Sequence, residues 1–189
     1  MCISVSKITV LVGDSLDASS LYNTACVYSG PSKTLSDCGT SGSTLTKGKG
    51  TMLGASYEIG NGFTLGFAYS GDGASTNGLM TKEGLDEYGA QLAYEGDSYG
   101  ASINYSINET SSTAETTYWG LNGYYQPYSD LPSISVGYET GDLSASTVDT
   151  SQWFVGLQWD EIGPGKLGAA VGTKGCLLYT SDAADEHSC

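Results

Sequence analysis

The chain of 189 residues has no arginine and seven lysines against 21 acids, for a formal net charge of −14. Without a basic surface to neutralise phosphates it is no nucleic-acid binder, and no polybasic membrane patch can be built from it. His187 is the only histidine, and it stands two residues from the C-terminal end. A Ser-His-Asp or Cys-His arrangement and a histidine metal site are therefore out of reach of the rest of the chain. Proline is scarce at 4 residues, so the glycine excess does not signal a disordered Pro/Gly segment. No apolar run approaches the roughly 18 residues of a membrane helix. "ITVLV" (8–12) is the longest clean run near the start. No secretory signal is legible, because Lys7 sits inside the one candidate apolar segment and no small-residue cleavage site follows it closely.

What the sequence does have is glycine, 27 residues, about twice the usual share of roughly 7%. It also has tyrosine: 14, against only 3 phenylalanines. Tyrosine suits a boundary between an apolar and a wet phase, though it is a good strand former in any β protein. The rings fall in an alternating pattern, and period two marks strands. In "SQWFVGLQWD" (151–160), Trp153, Val155, Leu157 and Trp159 share one side, while Gln152, Gly156 and Gln158 take the other, and Phe154 breaks the rule.

Similar segments run from residue 50 to 175 as hairpins. "TMLGASYE" and "FTLGFAYS" flank an Asn-Gly turn, a strong hairpin signal. "DEYGAQLAYEG", "SYGASINYS", "YWGLNGYYQP", "PSISVGYE", "SQWFVGLQWD" and "KLGAAVGT" follow. Polar loops are expected at 71–85, 108–116 and 140–150, alternating with short turns. This makes eight strands, with "KITVLVG" as a candidate ninth, and residues 14–49, rich in Ser, Thr, Gly and Lys, as one extended loop.

The face opposite the aromatics is small or polar and carries few charges. A soluble sandwich usually places more Lys and Glu on its wet face, whereas a membrane barrel wants an apolar belt outside, aromatic girdles at both ends and a polar interior. Tyr88 and Tyr94, Tyr99 and Tyr105, and Trp153 and Trp159 are spaced six residues apart, roughly 20 Å along a strand. The expected girdle comprises Tyr69, Tyr88, Tyr94, Tyr99, Tyr105, Trp119, Tyr138, Trp153 and Trp159. The expected pore lining is Gln91, Asn104, Asn122, Tyr124, Gln152 and Gln158, with Tyr124 offering a stacking surface. The fold class expected is all-β, an antiparallel up-and-down transmembrane β-barrel, incomplete in this chain. A soluble or surface β-sandwich adhesin that binds glycans through its aromatics is the alternative.

The last segment, "CLLYTSDAADE" (176–186), breaks the preceding pattern and resembles the translation of a transposase-derived sequencing adapter. On that expectation residues 1–175 are a partial barrel domain and 176–189 a non-native tail. Setting aside Asp182, Asp185 and Glu186 changes the net charge from −14 to −11. Cys2, Cys26 and Cys38 then remain. Cys26 and Cys38 can pair in an oxidising envelope, closing a loop worth about 3 kcal/mol, or can stay free thiols.

The segment "SQWFVGLQWDEIGPGKLGAAVGT" (151–173) resembles the late strands of bacterial outer-membrane porins of the OprB-type carbohydrate-selective family, especially the cyanobacterial branch. There a W-x-V-G-L-x-W-x-D/E strand precedes a Gly-containing turn and an L-G-x-A-V-G strand. "GLNGYYQP…LPSISVGYETG" (120–141) resembles the preceding hairpin. The resemblance implies a larger barrel of about sixteen strands, of which eight or nine are expected here. It also implies outer-membrane localisation, contact with lipid, passage of small hydrophilic solutes such as carbohydrates, and a homotrimer. Family members of that branch carry an N-terminal surface-layer-homology domain, which this chain does not show. No enzyme activity, cofactor or metal is expected. Asp86/Glu87 and Asp160/Glu161 lie at loop edges and read as a solvated rim.

Overall fold

The computed structural model describes residues 2–14, 18–29, 38–44, 50–72, 84–128, 131–144, 149–162, 165–174 and 177–180. They form one sheet of eleven antiparallel strands, each hydrogen-bonded to its neighbours in sequence. The strands are β1 (Cys2–Val5), β2 (Ile8–Asp14), β3 (Thr51–Gly60), β4 (Phe63–Asp72), β5 (Leu85–Glu95), β6 (Tyr99–Ser111), β7 (Ala114–Tyr125), β8 (Ser133–Leu143), β9 (Thr150–Ile162), β10 (Gly165–Lys174) and β11 (Leu177–Thr180). The fold is all-β and up-and-down, and the sheet is open, with β1 and β11 as its edges. It is an incomplete barrel. Among the described residues no helix is long and apolar enough to cross a membrane, a criterion that does not bear on strands.

The register confirms that every second residue faces one way. Along β8 the burial alternates without a slip over Ser133–Glu139: Ser133, Ser135, Gly137 and Glu139 are buried, and Ile134, Val136 and Tyr138 are exposed. This amphipathicity is inverted relative to a water-soluble protein. Phe67, Leu121 and Trp119 are half exposed, at 54%, 52% and 50%, whereas Asn104 and Ser106 are fully buried at 0%. A contiguous apolar surface of this kind marks a face made for a partner or for lipid.

The β3–β4 connection is the hairpin that Asn-Gly promises. Asn61 and Gly62 both have positive φ, 53° and 82°, as a two-residue type I′ turn requires. A side chain at Gly62 would run into the carbonyl of Glu95 in the next hairpin, so glycine is needed there for space as well.

Three expectations are corrected. The sheet has eleven strands rather than eight or nine, because Cys2–Val5 and Leu177–Thr180 add one at each edge; the candidate ninth strand is β2. The polar run at 108–116 is not a loop: β6 and β7 pair up to Ser111 and Ala114, leaving Ser112 and Thr113 as the turn. Threonine, present in this run at Thr110 and Thr116, is a good strand former, and polarity alone does not make a loop. Asp86 and Glu87 are not a solvated rim, being 1% and 3% exposed. Asp86 takes hydroxyl hydrogen bonds from Tyr69 at 2.9 Å and Tyr88 at 3.4 Å. Of the segment between β2 and β3, expected as one extended loop, the described residues 18–29 and 38–44 include a short 3-10 helix (Ala18–Leu21) and lie against the inner, polar face.

Candidate functional site

Strand pairing assembles the polar face from residues far apart in sequence. Gln91 of β5 stands opposite Asn104 of β6, and Ser102 stands opposite Asn122 of β7. Gln91 Nε2 donates to Asn104 Oδ1 at 2.5 Å, and Asn104 Nδ2 donates to Asn122 Oδ1 at 3.3 Å. All three side chains are buried, at 2%, 0% and 5% exposure. Burying an amide is costly unless its donors and acceptors are met, so this ladder persists only because its members satisfy one another and a covering segment.

That cover is a strap formed by residues 18–29 and 38–44. The first limb begins with Leu21 and Tyr22, which form a small apolar cluster with Leu11, Met52 and Ala68 on the inner face of β2–β4. Gly54 and Gly66 make room for it; a methyl group at either would collide with Leu21 or the Tyr22 ring. Burial pushes the Tyr22 hydroxyl well above the usual phenol range, since a phenolate is poorly solvated in an apolar cluster. The limb then crosses the wall, and wall side chains accept its backbone N–H groups. Asn23 N donates to Gln91 Oε1 at 2.7 Å, Val27 N and Tyr28 N donate to Ser135 Oγ at 3.1 Å each, and Ser29 N donates to Gln158 Oε1 at 2.7 Å.

The second limb returns across the middle. Asn122 Nδ2 donates to the carbonyl of Cys38 at 3.2 Å, and Thr40 Oγ1 donates to Asn122 Oδ1 at 2.7 Å. Gly42 N and Ser43 N donate to Glu139 Oε1 and Oε2 at 3.0 and 2.6 Å. Ser106 Oγ donates to the Gly42 carbonyl at 2.9 Å. The two limbs are joined by a Cys26–Cys38 disulfide with Cα atoms 6.3 Å apart.

Phe154, which breaks the alternation of its strand, sits on the inner face under this joint. It is 1% exposed and packs against Cys38, Cys26, Tyr28 and Ala170. The Tyr28 ring meets it edge-on, with centroids 5.4 Å apart. Gly137 lies beneath the Cys38 carbonyl, where any side chain would collide. The apolar residue on the polar face is thus a seat for the strap.

Of the residues read as pore lining, all six lie on the inner face by register. Gln91, Asn104, Asn122 and Gln158 are beneath the strap and bonded to it or to one another. Gln152 is half buried and donates to Glu139 Oε1 at 2.5 Å. Tyr124 stands apart at the short-turn end, its hydroxyl 3.5 Å from the Gly96 carbonyl. Glu139 and Phe154 belong to the same face and are not read from the sequence as lining, although the alternation of "PSISVGYE" places Glu139 there with Ser135. A cavity of about 220 Å³ remains beside the strap tip, lined by Gly42, Tyr118, Glu139, Thr150 and Gln152 among others.

The nine aromatics read as a girdle all lie on the opposite, outer face by register. Towards one end run the pairs Tyr69–Tyr88 and Tyr105–Trp119, with ring centroids 5.4 and 4.6 Å apart, and the register partners Tyr138 and Trp153. Towards the other run Tyr94–Tyr99, 5.5 Å apart, and Trp159. Tyr69 is 7% exposed, pressed on Tyr88 and tied to Asp86. The rim at this second end carries an exposed ion pair, Lys166 to Asp160 at 2.8 Å. Among the described residues no group of three His, Cys, Asp or Glu could hold a metal ion.

A family model described as Gram-negative porin matches residues 5–188. No curated protein and no solved structure matches the chain.

Proposed function

The chain belongs to the Gram-negative porins, and from that premise we propose that it passes small hydrophilic solutes by diffusion through the watery inside of a barrel in the bacterial outer membrane. The observation that carries the reading is the inverted burial, with apolar side chains outward and amides, hydroxyls and Glu139 inward. Lipid meets the aromatic girdle. The strap lies over the inner face and narrows the passage, with Gln152 and Tyr124 on the open part of the lining and the buried amides holding the strap itself. Planar-bilayer recording tests this: discrete ion-conducting steps are expected, and a chain that inserts without conductance contradicts it.

The finer assignment is to the OprB-type carbohydrate-selective porins, cyanobacterial branch. Its support is the strand–turn–strand motif at 151–173 and the hairpin at 120–141. In that family the barrel has about sixteen strands and would assemble as a trimer. The open lining offers a neutral solute the hydrogen-bonding groups of Gln152 and Tyr124, and with Glu139 facing inward and no arginine in the chain it has little to attract anions. Liposome swelling with a monosaccharide and with an organic anion of equal size distinguishes them. Faster entry of the anion overturns the carbohydrate assignment. Residues 176–189 are proposed to be a non-native tail, and Cys26–Cys38 a bond that persists in the oxidising envelope. Resequencing the DNA across residue 175 tests the first, and uninterrupted porin-coding sequence contradicts it. Thiol titration tests the second.

A further inference from the structure

We propose that Glu139 is the positioning residue that latches the strap tip, residues 40–44, across the lumen and thereby sets the width of the passage on that side. The claim about width rests on the porin reading; the claim about the latch does not. Glu139 projects from the inner face of β8 and is 3% exposed. Its carboxylate takes two consecutive strap amides, Gly42 N at 3.0 Å and Ser43 N at 2.6 Å, and Gln152 Nε2 braces it at 2.5 Å. The first limb is held differently. Its described backbone donors at Asn23, Val27, Tyr28 and Ser29 go to neutral amides and a hydroxyl. It is also wedged by packing, because Tyr28 and the disulfide sit on Phe154.

The tip is packed as well, with Thr40, Ser43 and Thr44 buried, but it borders open space on one side. Beside it lies the cavity of about 220 Å³, bordered by Tyr118, Thr150 and Gln152, which is space into which the tip can move. Both limbs touch the wall, and the tip also has Thr40 Oγ1 on Asn122 Oδ1 and Ser106 Oγ on the Gly42 carbonyl, but its backbone N–H groups at Gly42 and Ser43 end on one carboxylate next to open volume. Such charge-assisted bonds are roughly twice as strong as neutral ones, which is why a single carboxylate can hold a backbone turn of this size. Glutamine in its place has the same shape but one acceptor. Its NH2 group would face a strap N–H and accept nothing.

The test is Glu139→Gln, read by amide hydrogen exchange in reconstituted protein and by single-channel conductance. Exchange at Gly42 and Ser43 is expected to speed up roughly ten-fold or more, while Val27 and Tyr28 keep their protection, and conductance is expected to rise. Unchanged exchange at the tip overturns the latch, as does an equal acceleration at Val27 and Tyr28, which would mean general loosening. Faster exchange with unchanged conductance overturns the claim about width. A wild-type chain that never conducts defeats the porin reading and leaves the exchange result to decide the latch. Should the variant fail to fold, Gln152→Met leaves the carboxylate in place and removes its brace together with Gln152's own 3.4 Å bond to Ser41 Oγ, so acceleration confined to Ser41 overturns the latch. Gln152→Met is expected to give the same selective acceleration to a smaller degree, and no change at Gly42 and Ser43 overturns the proposal.

Discussion

Trp153 and Phe154 are neighbours in one strand and live in opposite worlds. Trp153 is 36% exposed on the outer face, and Phe154 is 1% exposed on the inner one. In a water-soluble protein the outward ring would be the anomaly. Here the inward ring is, because its inner-face neighbours on β8 and β10 are small or polar, and it is tolerated because the strap lands on it, as the strap also does on Leu11 and Met52. Between its aromatic rows the outer face is apolar and needs an apolar surrounding. The inner face is heterogeneous and needs particular partners, residue by residue.

That contrast can be attacked at several places. The largest effect is expected at Phe154→Ala, which removes the seat of Tyr28 and the disulfide and should cost about 3–5 kcal/mol. Guanidinium unfolding in lipid vesicles measures it, and Trp153→Ala should cost clearly less, since it leaves no buried cavity. Next comes an arginine on the outer face. Leu121→Arg, midway between the aromatic rows, should cost about 2–4 kcal/mol in a bilayer and little in a detergent that wraps around the charge. A substitution with the same cost in both would remove the distinction between the faces. Asn104→Ala breaks the amide ladder and leaves the Gln91 donor without its acceptor, at about 1–3 kcal/mol. It should also increase protease nicking of the strap. The smallest effect belongs to Lys166→Met at the exposed rim, where the pair with Asp160 is screened by water and no change in unfolding midpoint is expected.

How far the sequence revealed these two faces follows from the same contrast. The outer face was legible because apolar and aromatic residues recur with period two, and a periodic signal survives without knowledge of any partner. The Asn61–Gly62 turn was legible because its backbone demands those residues. The inner residues were placed by elimination, as whatever alternates with the aromatics, and that found Gln91, Asn104, Asn122 and Gln158. Their partners were not legible. The strap has no periodicity, and its bonds span long separations: Asn23 reaches Gln91 across 68 residues, and Ser29 reaches Gln158 across 129. Nothing local encodes such contacts. Phe154 stands as an exception in the sequence for that reason. The turn at Ser112 and Thr113 is hidden because the strand ends around it are rich in serine and threonine, and polarity alone mimics a loop.

The central claim is that one face of this sheet meets lipid and the other meets the strap. Tryptophan quenching by phospholipids brominated along their acyl chains tests it most directly, because Trp119, Trp153 and Trp159 all lie on the outer face. In reconstituted protein the native fluorescence should be strongly quenched. In a chain whose three tryptophans are replaced by phenylalanine and which carries Phe154→Trp, the single inner indole should keep its fluorescence. Equal quenching of the two proteins, or none of the native one, would contradict the account.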